Sequence, residues 1–308
     1  MFEKGAVCGI SKITRREASH TYGWARTWSE NLGVPINHDS EDCDIAYVDH
    51  GVNFGGSLNM FGGFTPEWEH RFSQIVKAKE VISLDIDMPD YASMLEARKD
   101  FQLPALATDL RAWQERSRTL RSTDLGLPWL AIGDSHTATW APWNSMVVKT
   151  NGKTLNGQIN TDFQYVRDHL EVCSQIKGVT LSFGNIDVRH HICRLGADWR
   201  EMWRAYKAFG DSLPIEVEYA IPHPIEFEER KLPKTGWYKG APFWGSQIDR
   251  AQLVDDIVSF CDNIGLNCVK YPAEWCTIDP DEYAKLCMEK PQSVHLSPAK
   301  YRRANWGL

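Results

Sequence analysis

The stretch Leu130-Ala131-Ile132-Gly133-Asp134-Ser135-His136-Thr137 decides how this chain is read. Pro128 to Ile132 is a short apolar run. Such runs mark parallel strands, which are buried on both faces and so need no polar alternation. The run breaks at once into Gly-Asp-Ser-His. In open α/β sheets, ligands and catalytic groups gather where strands end. Glycine at 133 permits a backbone bend that a side chain would obstruct. The spacing therefore predicts a strand that delivers Ser135 to a functional edge. The competing reading makes Ser135 an ordinary helix N-cap, a common position for serine after a strand.

The same pattern extends in both directions. Downstream, strands are expected at 145–149, 179–183, 214–220 and 267–271. A helix is expected at 162–177, with further helices marked by Trp199, Met202, Trp203 and Tyr206 and by Leu253, Val254, Ile257, Val258 and Cys261. Upstream, strands at 4–11, 44–48 and 80–84 alternate with helices at 14–31 and 66–78. Alternation of this kind implies parallel sheets with right-handed crossovers. The expectation is a smaller Rossmann-like α/β unit over 1–120, a polar linker near 118–126, and a three-layer parallel-sheet domain over 128–308. Two long loops, 49–63 and 221–247, exceed routine connectors and are expected to carry binding roles.

Composition narrows the function classes. The chain has 308 residues, 43% of them hydrophobic, which is enough for two cores. No apolar run approaches the ~18 residues of a membrane span, so no membrane association is expected. The first residues lack a basic segment followed by a long apolar one, so a secretory signal is not expected either. The eight cysteines contain no CxxC pair and are read as reduced thiols of a cytoplasmic protein. A net charge of −7 speaks against a broad nucleic-acid surface, though not against a local basic patch. Thirteen tryptophans supply core aromatics and sugar- or base-stacking surfaces.

A serine hydroxyl is a weak nucleophile until a base takes its proton. His295, in the last element of the chain, is the candidate base. The developing oxyanion needs donors aimed at it. The Ser135 amide, a loop glycine at 152 or 157, and the Gly184–Asp187 turn with Asn185 are the candidates. Asp134, His136 and Arg189 flank the same edge as substrate-binding residues. His190 and His191 lack matching carboxylate spacing, so neither a metal nor another cofactor is expected.

In block order this constellation resembles the SGNH hydrolases, the GDSL-type esterases. Gly133-Asp134-Ser135 matches their first block. Gly152 or Gly157 corresponds to the second, and Gly184-Asn185-Ile186-Asp187 partly to the third, Gly-x-Asn-Asp. Gln292-Ser293-Val294-His295-Leu296-Ser297 matches the histidine and tail of the last block, Asp-x-x-His. The resemblance covers about 128–308 and implies an SGNH-like fold with a serine esterase or acyltransferase activity, here on an acylated carbohydrate-type substrate. Two departures stand out. Ile186 occupies the place of the oxyanion asparagine, with Asn185 one position early. Gln292 replaces the aspartate that orients the histidine, which leaves either a weaker Ser–His dyad or another carboxylate, such as Asp187, to compensate.

Residues 1–120 carry a separate set. His50, Gly51 and Gly55 follow a strand, where backbone amides can cradle a phosphate. Asp85 and Asp87 follow another strand and are weak candidates for a divalent ion. Together with the aromatics of 221–247 they support an alternative function. That alternative is a glycosyltransferase using a nucleotide sugar between two α/β units, with a polysaccharide or modified nucleic acid as acceptor. A non-catalytic binding protein on an altered hydrolase fold is the third reading.

Overall fold

A computed structural model describes residues 5–9, 20–36, 44–49, 78, 80–83, 118–119, 126–143, 145–148, 153–173, 175–222, 247–272, 275, 279–289 and 295–301. The chain divides into two compact units, Met1–Leu120 and Arg121–Leu308.

In the first unit, β1 (Gly5–Gly9), β2 (Ile45–Asp49), β3 (Glu80–Ser83) and β4 (Arg118–Thr119) form one parallel sheet in the order β1-β2-β3-β4. Ala6, Ala46 and Ile82 are buried in it. A helix, His20–Leu32, buries Ala25 and Trp28 and ends at Gly33, whose φ of +65° suits glycine. The expected phosphate residues His50, Gly51 and Gly55, and the expected ion ligands Asp85 and Asp87, lie outside the described residues.

The second unit is built on five parallel strands: β5 (Trp129–Gly133), β6 (Ser145–Val148), β7 (Gly178–Ser182), β8 (Glu216–Ala220) and β9 (Cys268–Val269). Their order is β6-β5-β7-β8-β9. Winding runs one way from β5 to β6 and the other way from β7 onward. With right-handed crossovers, that reversal puts helices on both faces of the sheet. It also opens a crevice between β5 and β7, where the direction switches. The central strands are buried along nearly their whole length: Leu130, Ala131, Ile132, Met146, Val147, Val179 and Leu181 have no solvent exposure. This is why the sequence shows apolar runs rather than alternation.

Helices Leu155–Asn160, Gln164–Val172, Trp199–Asp211 and Gln247–Asn263 connect the later strands. The helix expected at 162–177 is the shorter Gln164–Val172, and Leu155–Asn160 is a further helix where a loop was expected, with residue 157 inside it. Asp162 and Phe163 separate them with positive φ, +47° and +55°. Such a conformation is strained for a side-chain-bearing residue. Burial offsets the strain: Phe163 stacks on Phe209 with centroids 4.1 Å apart and on Tyr206 at 5.9 Å.

Two glycines shape the crevice. A Cβ on Gly133 would lie 2.0 Å from the Ser182 carbonyl oxygen, so β5 can approach β7 this closely only without a side chain. The next amide, of Asp134, donates to that same carbonyl at 2.7 Å. On β7's side, Gly184 has φ of +122° and turns the chain so that the Asn185 amide faces Asp134.

Candidate active site

Ser135 stands in the turn between β5 and the short helix Thr137–Trp140. Its Oγ lies 2.9 Å from His295 Nε2, across a sequence separation of 160 residues. The helix-cap reading fails, because the Ser135 hydroxyl bonds to the histidine rather than to a helix amide. Among the described residues, the Ser135 N–H donates to no protein acceptor.

His295 is delivered by a C-terminal hairpin. Met288 and Leu296 form an antiparallel bridge, flanked by hydrogen bonds from the Glu289 amide to the His295 carbonyl at 3.0 Å and from the Ser297 amide to the Cys287 carbonyl at 2.7 Å. Leu296 is buried and anchors the hairpin. The period-two rule then sends the flanking pair, Glu289 and His295, to the opposite face together. Glu289 Oε1 is 3.8 Å from His295 Nδ1, an ion-pair distance too long for a hydrogen bond. Burial holds the His295 imidazole below the usual histidine range, and the charges of His136 and Arg189 act in the same direction. Glu289 opposes them in part.

Asp134 is completely buried. Its Oδ1 accepts the His136 amide at 2.9 Å and faces His136 Nδ1 at 3.1 Å. Its Oδ2 accepts the Asn185 amide at 3.1 Å and the Asn185 side-chain amide at 3.0 Å. Burial alone would raise its pKa, but the His136 charge and these hydrogen bonds outweigh it and hold the carboxyl below its usual value. One carboxylate therefore ties the turn after β5 to the turn after β7. The His136 ring lies beside that of His295, with centroids 5.1 Å apart and planes tilted by 42°.

Three expected roles need correction. Asp187 does not face His295. Its carboxylate accepts the Leu155 and Asn156 amides at 2.7 and 2.9 Å and pairs with His191 Nδ1 at 2.9 Å. It holds the N-terminus of helix Leu155–Asn160, whose first amides have no partner within the helix. Gly157 is not an oxyanion donor, because its amide donates to Thr154 Oγ1 at 2.9 Å in the cap of that helix. Gly152 lies outside the described residues, as does Gln292. Asn185 is at the site, but its backbone amide and one side-chain N–H go to Asp134.

Arg189 sits in a π-helical turn, Val188–Ile192, directly after the Asn185 turn, and donates to the Asn185 carbonyl at 3.2 Å. Single π turns often occur at functional sites. In the same turn, burial holds His190 below the usual histidine range, with the charges of His191 and Arg194 adding to the effect.

The carboxylate at His295, Glu289, is absent from the sequence expectations. A search at the Asp-x-x-His offset looks three positions before the histidine. Glu289 is six positions before it and reaches it by cross-strand pairing. Among the described residues no group of His, Cys, Asp and Glu is arranged to hold a metal ion. No helix among them is long and apolar enough to cross a membrane. Comparison with protein-family models, curated proteins and solved structures gives no match to this chain.

Proposed function

We propose that this chain is a serine-dependent acyl hydrolase or acyltransferase of SGNH type, with Ser135 as nucleophile, His295 as base and Glu289 as the carboxylate behind the base. The observation that carries the reading is the 2.9 Å contact between Ser135 Oγ and His295 Nε2 at the crevice of a doubly wound sheet. That distance is what proton transfer between a nucleophile and its base requires. The order of the blocks along the chain supports the same reading.

The chemistry follows from these positions. His295 Nε2 takes the hydroxyl proton as Ser135 Oγ attacks the acyl carbonyl carbon. The carbonyl π bond breaks and its electron pair moves onto oxygen, where the uncommitted Ser135 N–H can donate. The imidazolium then gives its proton to the leaving oxygen as the acyl–oxygen bond breaks. The resulting ester on Ser135 is released by the reverse sequence, with water or a second hydroxyl as acceptor. Glu289 stabilises the imidazolium in both halves. The acyl group is carried on a small-molecule or carbohydrate-type substrate, in keeping with the tryptophan-rich composition. The residues on which a sugar-nucleotide site would rest lie outside the described part of the chain, so no observed contact favours the glycosyltransferase alternative.

The test is hydrolysis of p-nitrophenyl acetate with labelling by a fluorophosphonate. Wild type should react in both assays and Ser135→Ala in neither. Equal behaviour of the two proteins would end the serine reading.

A further inference from the structure

We infer that Cys261 and Cys268 are a redox pair, a dithiol that a peroxide converts to a disulfide between the end of helix Gln247–Asn263 and the edge strand β9. The inference goes beyond the serine reading above and does not depend on it.

The backbone brings the two residues together. Helix Gln247–Asn263 gives way to a turn at Gly265, whose φ of +71° suits glycine. The chain then doubles back. The Leu266 amide donates to the Cys261 carbonyl at 2.9 Å, and the Cys268 amide donates to the Leu266 carbonyl at 3.0 Å. Cys268 opens β9, in register with Tyr219 of β8. An ion pair spans the same gap from the neighbouring positions: Lys270 Nζ lies 2.8 and 2.7 Å from the two Asp262 carboxylate oxygens. The helix end and the strand are thus held against each other by contacts that involve no sulfur.

Both cysteines are free thiols, and their side chains interact directly. Cys268 is the strongest influence on the Cys261 proton and, with burial second, holds that thiol well above the usual thiol range. A disulfide demands side chains that face each other at short range, which separates such a pair from cysteines that are merely near in sequence. The two thiols differ in access. Cys261 is 1% exposed, whereas Cys268 is half-buried. An oxidant from solvent therefore meets Cys268 first.

That difference assigns the roles. The Cys268 sulfur, having lost its proton, attacks one oxygen of the peroxide. The O–O bond breaks, and the departing hydroxide takes up the lost proton to become water. Cys268 is left as a sulfenic acid. The Cys261 sulfur then attacks the Cys268 sulfur. The S–O bond breaks, and the leaving hydroxide takes the Cys261 proton as a second water. In sum, two thiols are oxidised to one disulfide and one peroxide is reduced to two waters. Cys261 keeps its proton until that last step, so the buried thiol waits for the sulfenic acid rather than meeting the oxidant itself.

The test treats the folded full chain with an equimolar amount of hydrogen peroxide, then denatures it, alkylates the remaining thiols and digests with trypsin. The tryptic peptide 251–270 holds these two cysteines and no other. It should be recovered unalkylated and two hydrogens lighter, and dithiothreitol should restore both alkylation sites. It should form roughly tenfold or more faster than the buried Cys173 and Cys287 oxidise. The oxidised chain should melt about 5 °C higher, the scale of closing a short loop in a unit of this size. Cys261→Ser should leave Cys268 as a sulfenic acid that dimedone captures, and Cys268→Ser should leave Cys261 open to alkylation after peroxide. If Cys261→Ser does not fold, wild type and Cys268→Ser decide. Ser135→Ala should form the same disulfide, which keeps this result separate from the serine reading. A wild-type peptide alkylated at both cysteines after peroxide, or a bond from either cysteine to another one, would overturn the inference.

Discussion

Glu289 and His295 face each other across the bridge formed by Met288 and Leu296, with 3.8 Å between Glu289 Oε1 and His295 Nδ1. On the proposed mechanism, a carboxylate at that distance would stabilise the imidazolium formed when Ser135 gives up its proton. Glu289→Gln should lower kcat/KM roughly ten- to a hundred-fold, less than the loss seen when a hydrogen-bonded triad aspartate is removed. It should also move the acid limb of the pH profile downward, since the negative charge that favours a protonated His295 is gone. A pH series of esterase rates on both proteins measures the two effects together.

Asp187 provides the contrast. Its carboxylate serves the Leu155 and Asn156 amides, so its loss strips the N-terminus of a helix rather than the base. Asp187→Ala should cost about 2–4 kcal/mol of stability, the scale of losing a cap together with a buried acceptor. Activity per folded molecule should stay within about threefold of wild type. Denaturant unfolding and active-site titration check this, and a catalytic collapse without loss of stability would restore Asp187 to the base.

The pH profile of the wild type has a defined sign. Burial, with His136 and Arg189, holds His295 below the ordinary value of 6.5. On the proposed mechanism the working form is the neutral imidazole, so the acid limb of kcat/KM should lie below 6.5. Linkage runs the same way. The folded state binds fewer protons at His295 than the unfolded state does. The stability this residue contributes is therefore present above the unfolded value and is lost as pH falls toward the folded one. Rate and unfolding measurements over that window test both statements.

Gly133 is expected to tolerate no side chain. Its Cβ would meet the Ser182 backbone at 2.0 Å, and backbone cannot move aside as a flexible side-chain tip can. Gly133→Ala should destabilise the second unit by about 3 kcal/mol or more through forced separation of β5 from β7. It should also misplace Ser135 two residues later. Thermal unfolding of the variant, read against Asp187→Ala, is the check.

What the sequence disclosed and what it hid have separate physical causes. β5 and the turn after it were legible because a strand buried on both faces leaves an unbroken apolar run that ends sharply at Gly133. The contact of Ser135 with His295 was legible only as a pairing of chemistries, because no local pattern carries a link of 160 residues. Glu289 was hidden, since its role depends on which residues pair across a hairpin. Asp187 misled for the opposite reason: a carboxylate at a strand end resembles a catalytic acid, while its partners, the Leu155 and Asn156 amides, sit about thirty residues earlier in the chain. Gly157 resembles a loop glycine because the Thr154 cap that starts its helix lacks the Glu or Gln three residues on that marks a capping box. In the first unit β1, β2, β3 and one helix fall within a few residues of the expected positions, whereas β4 lies where a polar linker was expected.

The central claim is that Ser135 is a nucleophile activated by His295. Intact-protein mass spectrometry after fluorophosphonate treatment, with peptide mapping, tests it most directly. The account predicts a single adduct on Ser135, absent from Ser135→Ala and strongly slowed in His295→Gln. An unmodified wild type, or an adduct that persists unchanged in Ser135→Ala, would contradict it.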